Sequence, residues 1–193
     1  MTVLSAAPRH TRPADEHTAT DKGFGIMEWG GVALGIILVL AIVLGGLFAL
    51  TSRTNTGTEL TNIQTIIAST RGLLKASGGY EQTALTSTLI KAGGVSRSMS
   101  ISSDKSKLYN TWGGEIIVKG TGTNTFTVSY AAVPQDACIS LSTQIGRGGL
   151  VNETKINAKT FADGRVSASQ AATACTADSA GKGLNTMIFT VTG

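Results

Sequence analysis

From Trp29 to Ser52 the chain runs for 24 residues without a charge, WGGVALGIILVLAIVLGGLFALTS. Wound into a helix, the run would be about 36 Å long, enough to cross a hydrocarbon layer of about 30 Å. A core helix of a soluble protein rarely goes so far without a charge, so the run predicts one membrane-spanning helix. No second run approaches it, which excludes a polytopic membrane protein. In a chain of 193 residues, the part beyond Ser52 suits one domain of ordinary size. With 41% hydrophobic residues and two cysteines, the chain is neither a disordered acidic tail nor a disulfide-dense miniprotein.

Residues 1–23 are polar and mixed in charge, with Arg9, Arg12 and Lys22 against Asp15, Glu16 and Asp21. Three topogenic readings fit such a leader. A secretory signal would be cut after the apolar region, near Ala49, but that region is long for a signal peptide. A signal anchor would stay uncut. The third reading cuts on the polar side, within Lys22-Gly23-Phe24-Gly25-Ile26-Met27-Glu28. Gly23, lacking a Cβ, offers a protease an uncrowded backbone. Glu28 is a lone carboxylate at the edge of the apolar run, and ionisable groups at membrane depth usually have a function. The plainer alternative is an interfacial residue beside the anchor Trp29.

Together these residues resemble the type IV prepilin junction: Gly before the cut, an apolar first residue, Glu at the fifth mature position, then an uninterrupted apolar helix. The resemblance places the cut between Gly23 and Phe24, made by a membrane-embedded prepilin peptidase. The long leader resembles the type IVb branch, the relatives of toxin-coregulated pilin and of conjugative thin pili. The family implies that the Phe24 amine, N-methylated in some systems, pairs with Glu28 of a neighbouring subunit and sets its stagger. It implies a precursor held as a single pass in the inner membrane, then an extracellular pilus. Its partners would be further copies of itself, the prepilin peptidase, an inner-membrane assembly platform with its ATPase, and an outer-membrane secretin. A recipient or host cell surface would be its target, in conjugation or adherence. A major subunit is the leading expectation; a minor pilin or a type II secretion pseudopilin is the alternative. An unprocessed bitopic anchor carrying a small binding domain stands further off.

The fold implied is α+β, the type IV pilin fold: a long N-terminal helix, apolar in its first half, packed on an antiparallel sheet. The boundaries are a leader over 1–23, a filament-core helix over 24–52 and a head over 53–193. Leu60, Ile63, Ile67 and Leu74, flanked by Ile66 and Leu73, extend the helical pattern to about Ser77, where Ser77-Gly78-Gly79 reads as a stop. Gly31 and Gly35 have the small-xxx-small spacing that lets helices approach closely, although glycine is common in membrane helices anyway. Gly45-Gly46 is a candidate for local unwinding in a filament. In the head the pattern predicts a short helix over 81–92 and a Ser-rich surface loop over 95–113. It predicts a hairpin of 115–119 with 125–133 around Gly120–Asn124. Weak helices follow over 136–146 and 166–175, with strands over 153–161 and 186–192.

Cys138 and Cys175 would lie outside the cytoplasm, where disulfides persist. One intramolecular bridge is the simple reading; free thiols or a metal pair are the alternatives. A bridge would stabilise by roughly 4 kcal/mol. In type IV pilins such a bridge bounds an exposed, variable region used for contacts and adhesion, which the resemblance carries to 138–175. Catalysis and cofactors find no support. His10 and His17, the only histidines, fall in the leader, which removes Ser-His-Asp and Cys-His chemistry and most zinc sites from the mature chain. The leader holds as many acidic as basic residues, so the mature net charge stays at +4. Arg97, Lys105 and Lys107 cluster near Tyr109 and Trp112, but a solvated loop explains them better than a nucleic-acid surface.

Overall fold

The computed structural model describes residues 26–193, and the side chains of 34–42 and 54–193. The described residues divide into two compact units between Leu44 and Gly45. Helix α1 (Ile26–Leu73) has 48 residues. Its backbone stays helical through Gly45-Gly46, the pair expected to favour unwinding.

Over residues 34–42, its described side chains in the first unit, α1 shows no polar face. Leu34, Ile36, Ile37, Leu38, Val39, Leu40 and Ile42 are each 53–67% exposed. Among the described residues, no helix is long and apolar enough to cross a membrane. The charge-free run Trp29–Ser52 extends at both ends beyond the described side chains.

In the second unit α1 is amphipathic. Ile63, Ile66 and Ile67 are buried, and Leu60 and Leu74 pack against the same core. The helix stops at Leu73 rather than near Ser77, leaving Leu73 mostly exposed. Beyond it Ala76 and Gly79 exchange backbone hydrogen bonds of 3.1 and 3.0 Å across Ser77-Gly78. Gly79 has φ of +97°, and a Cβ there would strike the Thr123 carbonyl. The Ser-Gly-Gly signal therefore marks a chain reversal after the helix, not its cap.

Among the described residues, seven antiparallel strands form one sheet. They are β1 (Ser100–Ile101), β2 (Leu108–Tyr109), β3 (Glu115–Gly122), β4 (Thr125–Val133), β5 (Glu153–Ile156), β6 (Lys159–Phe161) and β7 (Asn185–Thr192). Their spatial order is β1-β2-β3-β4-β7-β5-β6, so the final strand sits near the middle. Register puts Val118, Val128, Phe189 and Thr154 in one row, and Ile116, Tyr130, Met187 and Ile156 in the next. These residues are all buried, while alternate positions face outward, as a half-solvated sheet requires.

The expected hairpin forms, with Gly120 and Gly122 inside β3 and the reversal at Thr123-Asn124. A Cβ at Gly120 would collide with the Glu81 carbonyl, since the 81–85 segment runs beside β3. The helix expected over 81–92 shrinks to α2 (Thr86–Lys91) for the same reason, its first residues being held extended against that strand. Gly93 at φ +73° closes α2, its N–H bonded to Ile90 O and that of Gly94 to Leu89 O.

The Ser-rich stretch is not a simple surface loop. It holds β1 and β2 and buries Met99, Leu108 and Asn110. The strand expected over 153–161 is a hairpin, β5 and β6, turned at Asn157 with φ of +53°. Helices α3 (Gln135–Arg147) and α4 (Ala168–Ala174) appear where expected. A capping box opens α4, with Ser167 and Gln170 satisfying each other's backbone donors.

Candidate assembly and surface sites

The expected junction falls at the margin of the structure. Gly23 and Phe24 lie outside the described residues, and so do the side chains of Glu28 and Gly31, whose backbones are in α1. Gly35 is described, and a Cβ there would meet nothing within 4 Å.

The cysteines are brought together. Cys138, in the first turn of α3, is bonded to Cys175 at the end of α4, with Cα atoms 6.0 Å apart. Both are buried, so the bridge is part of the core. Asn157 and Asn185 support this end of the head. The Asn157 amide donates to Ala174 O at 2.9 Å and to Asn185 Oδ1 at 2.9 Å, and Asn185 donates to Val133 O at 3.0 Å.

At the other ends of the same two helices lies an open groove of about 840 Å³. The C-terminal end of α3, β6, the 162–167 loop and the start of α4 line it. Arg147 and Arg165 stand on it with Asp163, above the half-buried Phe161. The loop is fixed from below. A Cβ at Gly146 would sit 2.8 Å from the Gly164 carbonyl, and the buried Thr154 hydroxyl donates to that carbonyl at 3.1 Å.

A third feature is a buried polar seam along α1. Glu59 is fully buried, and its Oε1 accepts the Thr111 N–H at 2.7 Å. Its Oε2 and the Tyr130 hydroxyl are both buried without a hydrogen-bond partner of good geometry, and the Glu59 side chain acts electrostatically on the Tyr130 phenol. Burial, then the Glu59 charge, pushes the Tyr130 phenol well above its ordinary pKa. Asn62 Oδ1 accepts the Ser98 hydroxyl at 2.8 Å. Asn110 completes the arrangement. Its Oδ1 accepts from Trp112 and Gly114 N–H at 3.0 and 2.8 Å, and its amide donates to Ala131 O at 2.8 Å.

The basic-aromatic cluster does not form a platform. Lys107 pairs with Glu115 at 3.6 Å, and Trp112 packs against the core. In the β1–β2 turn, Asp104 accepts the hydroxyls of Ser102 and Ser106 at 2.6 and 2.7 Å. The Ser102 bond first, then those from Ser106, lowers its carboxyl pKa to about 2. Among the described residues no group of His, Cys, Asp or Glu could hold a metal ion.

Comparison with known proteins fits this architecture. Residues 53–192 match the family described as PilS, N terminal. The crystal structure of a type IVb pilin from Salmonella typhi superimposes with a TM-score of 0.63 at 41% identity, over 71% of this chain and 99% of that one. The chain belongs to the PilS family of type IVb pilins. An NMR structure of the type IVb pilin PilS from the same organism aligns at 39% identity and TM-score 0.50, over 72% of this chain and 96% of the other. No curated protein matches. Pilins are structural subunits of pili, not enzymes, and the disulfide and sheet of this head belong to that fold. The groove and the Glu59 seam carry no sequence signal of their own. Arg147 stands on a different element from Phe161 and Arg165, with no spacing that links them, and a glutamate in a helix ordinarily faces water.

Proposed function

We propose that this pilin is the major subunit of a type IVb pilus, made as a precursor and cut between Gly23 and Phe24. Its leader is 1–23, its filament-core helix 24–52 and its head 53–193. The observation that carries the reading is the apolar stretch of α1, exposed on every side from Leu34 to Ile42. Such a surface is stable in water only when something covers it. Lipid covers it in a single-pass precursor in the inner membrane. Other copies of the same helix cover it in a filament. Phe24 and Glu28 then act as a pair: the new amine of one subunit neutralises the buried carboxylate of its neighbour. Gly31 and Gly35 permit close helix approach. The prepilin peptidase, an assembly platform with its ATPase, and a secretin would carry the subunit outward. The extracellular filament would serve contact between cells, in conjugation or in adherence.

The test is the intact mass and N-terminal sequence of protein sheared from cells that express the chain with its assembly machinery. A start at Phe24, in a band dominating the sheared fibres, supports the reading. A start at Met1 with all protein left in the membrane overturns it. A scarce processed band would shift the assignment to a minor pilin or pseudopilin. Glu28→Ala should be processed yet absent from fibres, and normal fibre yield would remove the pairing role.

A further inference from the structure

We propose that the groove between α3, β6 and α4 binds anionic glycans, sugars that carry a carboxylate or phosphate. The inference rests on the proposed role in cell contact and names the chemistry of that contact. The groove's volume, about 840 Å³, lies in the usual range for small-ligand sites. Arg147 and Arg165 reach it from two different elements, and no ion pair joins either among the described residues. Lys159 extends the positive charge along a smaller recess that shares Phe161 and Gln170. The single acid on the groove, Asp163, turns its Oδ1 to the backbone N–H of Arg165 at 3.1 Å. Arg147 also complements the C-terminal dipole of α3.

Guanidinium groups hold planar carboxylates and phosphates through paired hydrogen bonds, which a lone ammonium does not reproduce. Phe161 supplies an apolar face for the C–H side of a sugar ring. Gln170, whose Oε1 caps α4 through the Ser167 N–H, keeps its amide nitrogen to donate to the ring's oxygens. The backbone under the site is fixed by the Gly146–Gly164 approach and the Thr154 bond, so binding would have to order the arginine side chains but not the chain that carries them. The anion could come from phosphorylated bacterial lipopolysaccharide or from sialylated host glycans, and both present the same chemistry.

Purified filaments of the full chain would be tested on four immobilised probes: lipopolysaccharide with a phosphorylated core, the same material dephosphorylated, 3′-sialyllactose and lactose. Binding to one or both anionic probes at least tenfold above its neutral partner is expected, and the preferred probe names the source. Arg147→Gln/Arg165→Gln should lose at least tenfold of that binding while fibre yield and the disulfide stay normal. Lys91→Gln, on α2, should bind as the parent does. Equal binding to charged and neutral probes, no binding to any, or full binding by the double variant would each overturn the inference. Filaments of the double variant that promote cell contact normally would also overturn it, leaving the contact reading intact. Parent filaments that bind anionic probes but promote no contact would overturn that reading and support the site.

Discussion

At the scale of single residues, the least expected group is Glu59. A carboxylate in a helix reads as a solvent-facing charge, and nothing in its neighbours marks it as buried. Burial becomes sensible only when the Thr111 N–H, from a turn 52 residues away, is seen at its Oε1. Removing it leaves that donor unpaired and opens a cavity. Glu59→Ala should cost about 2–4 kcal/mol in urea denaturation of the full chain in detergent. A loss under about 0.5 kcal/mol would show that the bond holds nothing. Tyr130→Phe removes a buried hydroxyl without a well-formed bond and should change stability by less than about 1 kcal/mol. Asp104 is the opposite case, an exposed carboxylate with two serine hydroxyls. Its folded pKa of about 2 lies below the ordinary value near 4. Its contribution to stability is therefore complete above about pH 4 and is lost as pH falls through about 2. Carbon-detected NMR titration should give Asp104 a midpoint near 2, moving upward in Ser102→Ala. An ordinary midpoint in the parent would refute the hydroxyl contacts.

At the scale of elements, the sequence was readable where periodicity was strong. The Ile63-Ile66-Ile67 stripe, the β3–β4 hairpin and β7 follow from alternation and helical spacing alone. It was opaque where pairing is tertiary. β1 and β2 have two residues each, too short for a pattern, and Ser-rich sequence hides them. The early end of α1 and the shortened α2 share a cause. The chain from Ala76 to Leu85 is needed against the hairpin, where Tyr80 bonds Thr123 O and Leu85 bonds Val118 O. The disulfide acts between elements as well, tying the start of α3 to the end of α4. Cys138→Ala/Cys175→Ala should lose roughly 4 kcal/mol if chain entropy governs. Hydrogen exchange should then quicken in α3 and α4 before the β3-β4-β7 centre. Uniform quickening across the sheet would mean the bridge stabilises the whole head instead.

At the scale of the molecule, one helix serves two environments. Its second half is finished within the chain, with Ile63, Ile66 and Ile67 sealed in the core of the head. Its first half is left unfinished, and no residue from Leu34 to Ile42 has a buried side. A protein whose purpose ended with the head would have no use for that stretch. The two halves should therefore fail independently. Ile37, 64% exposed, is central to the apolar part, and a lysine there would place a charge costing about 3 kcal/mol at a helix centre. In a filament every subunit bears that penalty in contact with its neighbours, so assembly should suffer far more than folding. Ile37→Lys should keep the Cys138–Cys175 bridge and the near-UV spectrum of the head, while sheared fibres fall at least tenfold; Ile37→Val should assemble as the parent does. Normal fibres from Ile37→Lys would show that this surface is not covered by other subunits. A head that failed to fold would show that the two halves of α1 are coupled and would refute their independent failure.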